Sequence, residues 1–388
     1  MYQVLAMSLL MGRRCGIYGE RGVAVMKLWA RVRWLIATAT FLGAGGLVWA
    51  GPAAQASVPD NWGFAYVNTP SGVPDINHQA GSWPPGFVVH TTPGAPGEVF
   101  VRFPQIASIA GVVHVTAVID VAVWCQAEHW AASGPDEVVA VRCFKPGGAP
   151  VSTPFVVSFS QSSATILPAP QAYGYVRFRP GSGIVTSFNS AGAVNTVAPG
   201  GTGIWKVRMP GVGAATLAGD VQVTAVNPTK PAKCELESWT PAATGQTFIV
   251  RCFDSTINPL ATGWTLTYQA RRAVTGTKPM FFGYSFDNQP ANPGPYAPAP
   301  PAVNFNSAGA VNTLLRAGAG LRLASFPQIG QLPNTVLVTP VHSGPGFCNL
   351  NTLWATAPPN VIVRDVTCYT ATGVHANQES MITYASAA

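Results

Sequence analysis

Val113-His-Val-Thr-Ala-Val118 returns as VQVTAV at 221–226 and as VLVTPV at 336–341. Other landmarks keep the same order around this hexapeptide. Upstream stand Phe64-Ala-Tyr66, Tyr173-Gly-Tyr175 and Phe282-Gly-Tyr284, whose last tyrosines are 109 residues apart each time. Then come VRFPQI (101–106), VRMPGV (207–212) and LASFPQI (323–329). Downstream lie Cys125 and Cys143, Cys234 and Cys252, and Cys348 and Cys368, with Trp130, Trp239 and Trp354 trailing the first cysteine of each pair. FVVSF (155–159), WTLTY (264–268) and MITY (381–384) close the units. One module is therefore written three times, at 62–162, 172–270 and 281–388. The joints between modules are short and hold proline or glycine, so neighbours are expected to touch.

Each module reads as all-β. Short β-branched or alternating runs such as Val99–Phe103, Ile204–Val207, Val221–Val226 and Phe248–Phe253 are separated by turn residues. The chain carries 40 glycines and 35 prolines. Seven or eight short strands in about a hundred residues imply a two-layer antiparallel sandwich, because a sheet must bury its apolar face on another layer. Turn chemistry sits midway between the cysteines of every pair: Ser-Gly-Pro-Asp around Gly134, Ala-Ala-Thr-Gly around Ala243, Ala-Pro-Pro-Asn around Pro358. The two cysteines are thus expected to face each other across a hairpin, one disulfide per module. Closing a loop of this size is worth roughly 3 kcal/mol in the chain-entropy model. Val139, Val141 and Cys143 should point inward, as should Phe248, Val250 and Cys252. Arg364-Asp365 interrupts the pattern in the third module and marks a bulge.

The N-terminus carries a secretory signal. Lys27, Arg31 and Arg33 precede an apolar stretch, Trp34–Ala50, and then Ala54-Gln55-Ala56, so a signal helix and cleavage after Ala56 are expected. Met1 and Met26 are the two candidate starts, and Met26 is the expected one. Without residues 1–56 the chain keeps 16 basic and 14 acidic residues, a net charge of +2. The formal +7 of the whole chain belongs largely to the leader. A nucleic-acid partner is not expected, and a membrane matters only during export. An even set of six cysteines in an exported chain reads as disulfides.

No cofactor, metal or catalytic signature is expected: nucleophile-elbow, zincin, P-loop and EF-hand patterns are missing from the sequence. Phe188-Asn-Ser-Ala-Gly-Ala-Val-Asn-Thr196 recurs letter for letter as Phe305–Thr313. Asn189, Asn195, Asn306 and Asn312 could offer amides to a ligand, or the stretch could be a hairpin turn with Gly192 and Gly309 at φ > 0. The tryptophans read as core packing rather than sugar platforms. Of six histidines, His114 aligns with Gln222 and Leu337, and His129 with Ser238 and Leu353, which suits ordinary strand and rim positions. Glu235 and Glu237 read as solvated edge charge, aligned with Gln126 and Glu128, and with Asn349 and Asn351. The insertion Asn288–Pro301, rich in proline, reads as a surface loop.

Gly201-Thr-Gly-Ile-Trp-Lys-Val-Arg-Met-Pro210, with Val221–Val226, Cys234 and Cys252, resembles secreted, chiefly actinobacterial, repeat proteins with no assigned activity. The G-T-G-aromatic hairpin also looks like strands of jelly-roll recognition modules, and carries over no functional residues. The expected function is a non-catalytic secreted or envelope-associated binding protein that uses tandem modules for avidity toward an extracellular protein or glycan. The alternatives are a self-associating coat or spacer component, and a secreted hydrolase or inhibitor.

Overall fold

A computed structural model describes residues 60–162 and 167–388. The expected signal helix and the expected cleavage after Ala56 lie outside the described residues.

The first module contains β1 (Asn61–Val67), β2 (Gln79–Gly81), β3 (His90–Pro93), β4 (Glu98–Phe103), β5 (Val112–Ala117), β6 (Trp124–Ser133), β7 (Asp136–Phe144) and β8 (Phe155–Gln161). The second contains β9 (Ala172–Arg179), β10 (Gly183–Asn189), β11 (Thr196–Gly201), β12 (Ile204–Pro210), β13 (Asp220–Val226), β14 (Ala232–Ala242), β15 (Gly245–Asp254) and β16 (Gly263–Ala270). The third contains β17 (Phe282–Asp287), β18 (Asn304–Asn306), β19 (Thr313–Gly318), β20 (Leu321–Phe326), β21 (Asn334–Val341), β22 (Phe347–Leu350), β23 (Ala355–Ala357), β24 (Asn360–Tyr369) and β25 (Glu379–Ser386).

One strand order occurs three times. The first sheet of each sandwich runs β2-β1-β8-β5, β10-β9-β16-β13 and β18-β17-β25-β21. The second runs β3-β4-β7-β6, β11-β12-β15-β14 and β19-β20-β24-β22, with β23 added on β24. Alternate side chains from both layers meet in the middle. Val113, Val115 and Ala117 of β5 pack with Val139, Val141 and Cys143 of β7 and Phe155, Val157 and Phe159 of β8. Phe248, Val250 and Cys252 hold the same inward place in the second module. Each disulfide joins directly opposed residues of a hairpin, Cys125–Cys143, Cys234–Cys252 and Cys348–Cys368. Their Cα separations are 4.0, 4.1 and 4.0 Å. The bulge expected at Arg364-Asp365 is present: Arg322 pairs with Val366 and Ala324 with Val363, and Asp365 adopts φ 51°.

The modules are joined by more than contact. The edge strand bearing the repeated hexapeptide leads into the cysteine-bearing edge strand of a neighbour, in parallel register. Val226 pairs with Ala127, Val341 with Leu236, and Val118 with Leu350. Asn227 N donates to the Ala127 carbonyl (3.0 Å), His342 N to Leu236 (3.0 Å) and Ile119 N to Leu350 (2.7 Å). The second module thus abuts the first, the third the second, and the first the third, which closes a cycle.

The hexapeptide threonines lie on these seams. Val115 N donates to Thr224 Oγ1 (3.2 Å), Val223 N to Thr339 Oγ1 (2.9 Å) and Val338 N to Thr116 Oγ1 (3.0 Å). All three threonines are buried. Alternation V-H-V-T-A-V therefore does not separate core from water; it separates a module's own core from the face covered by its neighbours. His114, Gln222 and Leu337, read above as strand or rim positions, are buried on that face. His114 Nε2 meets Thr267 Oγ1 at 2.7 Å and Nδ1 meets Thr224 Oγ1 at 3.3 Å. Burial pushes its pKa down to about 3, so the ring is neutral.

Candidate functional site

The duplicated motif forms a stapled turn. Asn189 Nδ2 donates to Asn195 Oδ1 (2.8 Å) and to the Pro210 carbonyl (2.9 Å), while its Oδ1 accepts from Ala191 N (2.8 Å). Asn195 Nδ2 donates to the carbonyls of Phe188 (2.8 Å) and Tyr175 (3.3 Å). Asn306 and Asn312 repeat the arrangement with each other, Pro327, Ala308, Phe305 and Tyr284. Gly192 and Gly309 take φ of 74° and 80° where the turn requires it. All four amides are buried and engaged within the turn. This is the hairpin arrangement; the reading of these amides as ligand-facing groups is corrected.

The tryptophans pack inward. Trp130 is buried under the Arg177 guanidinium, 3.7 Å from the ring centre. Trp239 Nε1 donates to Gln246 Oε1 (2.7 Å), and Trp354 Nε1 to Asn334 Oδ1 (2.6 Å). The histidines do not converge: His90, His129, His342 and His375 are exposed, and among the described residues no group of three or more His, Cys, Asp or Glu is placed to hold a metal. Glu98 and Glu128 do approach each other in the first module, around Arg142, whose Nη1 lies 2.9 Å from Glu128 Oε1. Burial and the neighbouring Glu98 carboxyl push Glu128 up to about 7. The proline-rich insertion is tied down by a buried ion pair. Arg322 Nε lies 2.7 Å from Asp287 Oδ2, and its other nitrogens donate to the Asn292 and Gln289 carbonyls.

In the first and third modules the residue after the first cysteine reaches over a seam. Gln126 Nε2 donates to the carbonyls of Asn227 (2.6 Å) and Lys230 (3.0 Å), and its Oε1 accepts from Ala232 N (2.6 Å). Asn349 Nδ2 donates to the carbonyls of Val121 (2.9 Å) and Val123 (3.3 Å). Glu235 occupies the third such position and is 2 % exposed, with neither carboxyl oxygen hydrogen-bonded. The expectation of solvated edge charge at Glu235 is therefore corrected. Burial drives its pKa well above the ordinary carboxylate range, against the opposing pull of Lys233 and Arg251. Glu237 does not share its face: a register shift between Leu236 and Ser238 separates them, and Glu237 pairs with Arg251 at 2.6 Å. Lys233, also buried, donates to the Pro345 carbonyl (3.0 Å) with its ammonium 4.8 and 5.1 Å from the rings of Trp124 and Phe347.

An open site lies instead between the second and third modules. Pro170, Gln171, Arg271, Lys278, Pro279, Met280, Phe282, Phe305 and Ser307 enclose a cleft of about 400 Å³. A second cavity of about 290 Å³ adjoins it through the shared walls Pro170, Arg271 and Phe305, and extends along Ala214, Thr216, Ala218, Tyr284 and Ala302. Both sizes suit a small-molecule ligand. The Arg271 guanidinium stands 5.9 Å from the Phe305 ring. Arg271 follows directly on β16 and holds φ 51°, a left-handed conformation that costs a non-glycine residue about 1–3 kcal/mol and concentrates at functional positions. Its amide donates to the Tyr284 hydroxyl (3.3 Å), which pins the backbone there. Met280 is 72 % exposed at the rim. Among the described residues no histidine, cysteine or carboxylate side chain lines either cavity. Compared with known proteins, the chain matches no protein family, no curated protein and no solved structure.

Proposed function

We propose that the chain is an exported, non-catalytic binding protein in which three sandwiches form one body and the double cleft beside Arg271 receives the ligand. Export is supported by the leader sequence and by three disulfides, which form in oxidising compartments. Among the described residues no helix is long and apolar enough to cross a membrane. The observation that carries the binding reading is the lining of the cleft: a largely apolar space, two cations at its edge, and, among the described residues, no base beside Ser307 or Thr216 to activate a hydroxyl. Hydrogen-bonded seams join the modules, so the ligand surface belongs to the assembly rather than to three independently moving units.

The test is a thermal-shift screen of the purified protein against chemically diverse small molecules, together with a glycan array. At least one ligand should stabilise the native protein and lose its effect in Phe305→Ala. Blank results in both assays, or hits indifferent to Phe305, would contradict the reading. A self-associating coat component is the second reading; Ile109, Val194 and Val311 each stand exposed, one in each module. Sedimentation that shows only monomer at high concentration would dispose of it.

A further inference from the structure

Resting on the reading of the cleft as a ligand site, we propose that its ligand is a single-chain amphiphile with an anionic head, a fatty acid in the simplest case. The shape argues for a chain. The two cavities lie side by side and share Pro170, Arg271 and Phe305 in their walls, so a chain longer than either could lie along both. The walls argue for an alkyl body. Met280, Pro279, Pro301, Ala214, Ala218 and the Phe305 ring offer apolar surface, and the methionine can adapt to a flexible guest.

The charges argue for the head group. Arg271 and Lys278 are exposed at the cleft, and neither is in a salt bridge with a carboxylate among the described residues. Among the described residues no acidic side chain lines either cavity to repel an anion. A planar guanidinium binds carboxylate or phosphate oxygens two at a time, and the ammonium adds a point charge. Arg271 ends β16 in a left-handed conformation, with its guanidinium 5.9 Å from the Phe305 ring.

The experiment titrates the purified protein with oleate, oleoyl lysophosphatidate and the neutral monoolein, read by displacement of a fluorescent fatty-acid probe. Two variants accompany the native protein. Arg271→Gly removes the guanidinium and suits the backbone, and Ala214→Trp obstructs the second cavity; thermal unfolding checks that both are folded. Saturable binding of oleate or lysophosphatidate is expected, weakened roughly tenfold to a hundredfold by Arg271→Gly, with monoolein weak in both proteins. The tighter of the two anions identifies the head as carboxylate or phosphate. Ala214→Trp should abolish binding of the long-chain probes. If folded Ala214→Trp does not bind, Arg271→Gly alone decides the head-group claim.

Monoolein binding as tightly as oleate would overturn the anionic head while leaving the cleft a ligand site. Absence of saturable binding by either anion would overturn the amphiphile, whereas the small-molecule screen judges the cleft separately. Amphiphile binding untouched by both variants would put the amphiphile outside the cleft and overturn the proposal, with the cleft still judged by the small-molecule screen.

Discussion

Glu235→Gln should stabilise the protein at neutral pH, although it removes a charge. The equivalent positions carry amides that tie one module to the next, Gln126 with three hydrogen bonds to residues 227–232 and Asn349 with two to residues 121–123. Counted back from the neighbour's first cysteine, the carbonyl both amides share is the fourth, Lys230 or Val121. Gly344 is the corresponding residue for position 235. Glu235 is buried there with both oxygens unpaired. A buried polar group without a partner costs about 1–3 kcal/mol. An amide that restores the bond should therefore gain about 1–3 kcal/mol, or roughly 2–6 °C in a chain of this size. Lys233 keeps its Pro345 carbonyl and its aromatic walls in the variant. The gain depends on pH in a definite direction. The folded pKa of Glu235 is raised, so its contribution to stability is full below the unfolded value near 4.3 and is lost as pH rises through the folded value. Glutamine does not titrate. The difference between variant and native protein should thus grow from pH 4 to pH 8. Guanidinium unfolding at several pH values measures it. A variant less stable than native at pH 7.5, or a difference that does not change with pH, would refute the reasoning.

Three further outcomes follow from the same geometry. Thr224→Val leaves the buried Val115 amide and one nitrogen of His114 without their hydroxyl partner, and should cost about 1–3 kcal/mol in denaturant midpoint with an unchanged slope. Arg271→Gly should hold or raise stability by up to about 1 kcal/mol, because relief of the left-handed strain offsets the extra entropy of glycine, while ligand binding falls. Acidification from pH 8 to about 5.5 should raise the thermal midpoint. Burial pushes Glu128, Glu137 and Asp220 up to about 7 and Glu235 also upward, so each is worth most below its unfolded pKa and loses that contribution as pH rises. His114, depressed to about 3, acts in the opposite sense: its contribution is present above about 6.5 and is lost as pH falls. A midpoint that drops on acidification over this range would contradict the reading that the carboxyls dominate.

The module was legible in the sequence because its determinants are local. Turn residues centred between Cys125 and Cys143 imply a hairpin with opposed cysteines, and alternation at Val139, Val141 and Cys143 assigns the inward face. Arg364-Asp365 betrayed its bulge because two charged neighbours cannot both keep a strand's inward and outward parity. The seams were not legible. Alternation in VHVTAV tells polar from apolar but not what covers the polar face, and the same pattern serves a solvated sheet. The one signal was a threonine present in all three hexapeptides. Glu235 was misplaced for the same reason: Gln126 and Asn349 looked like tolerance of any polar residue, whereas the site wants an amide. The cleft draws on residues around 170, 214, 271–284 and 301–307, a set no spacing rule gathers.

Scanning calorimetry of the purified protein tests the closed cycle most directly. Three sandwiches locked through Thr116, Thr224 and Thr339 should melt in one transition, with the calorimetric enthalpy equal to the van't Hoff enthalpy. Separate transitions, or a van't Hoff enthalpy near a third of the calorimetric one, would show that the modules unfold independently and would contradict the account.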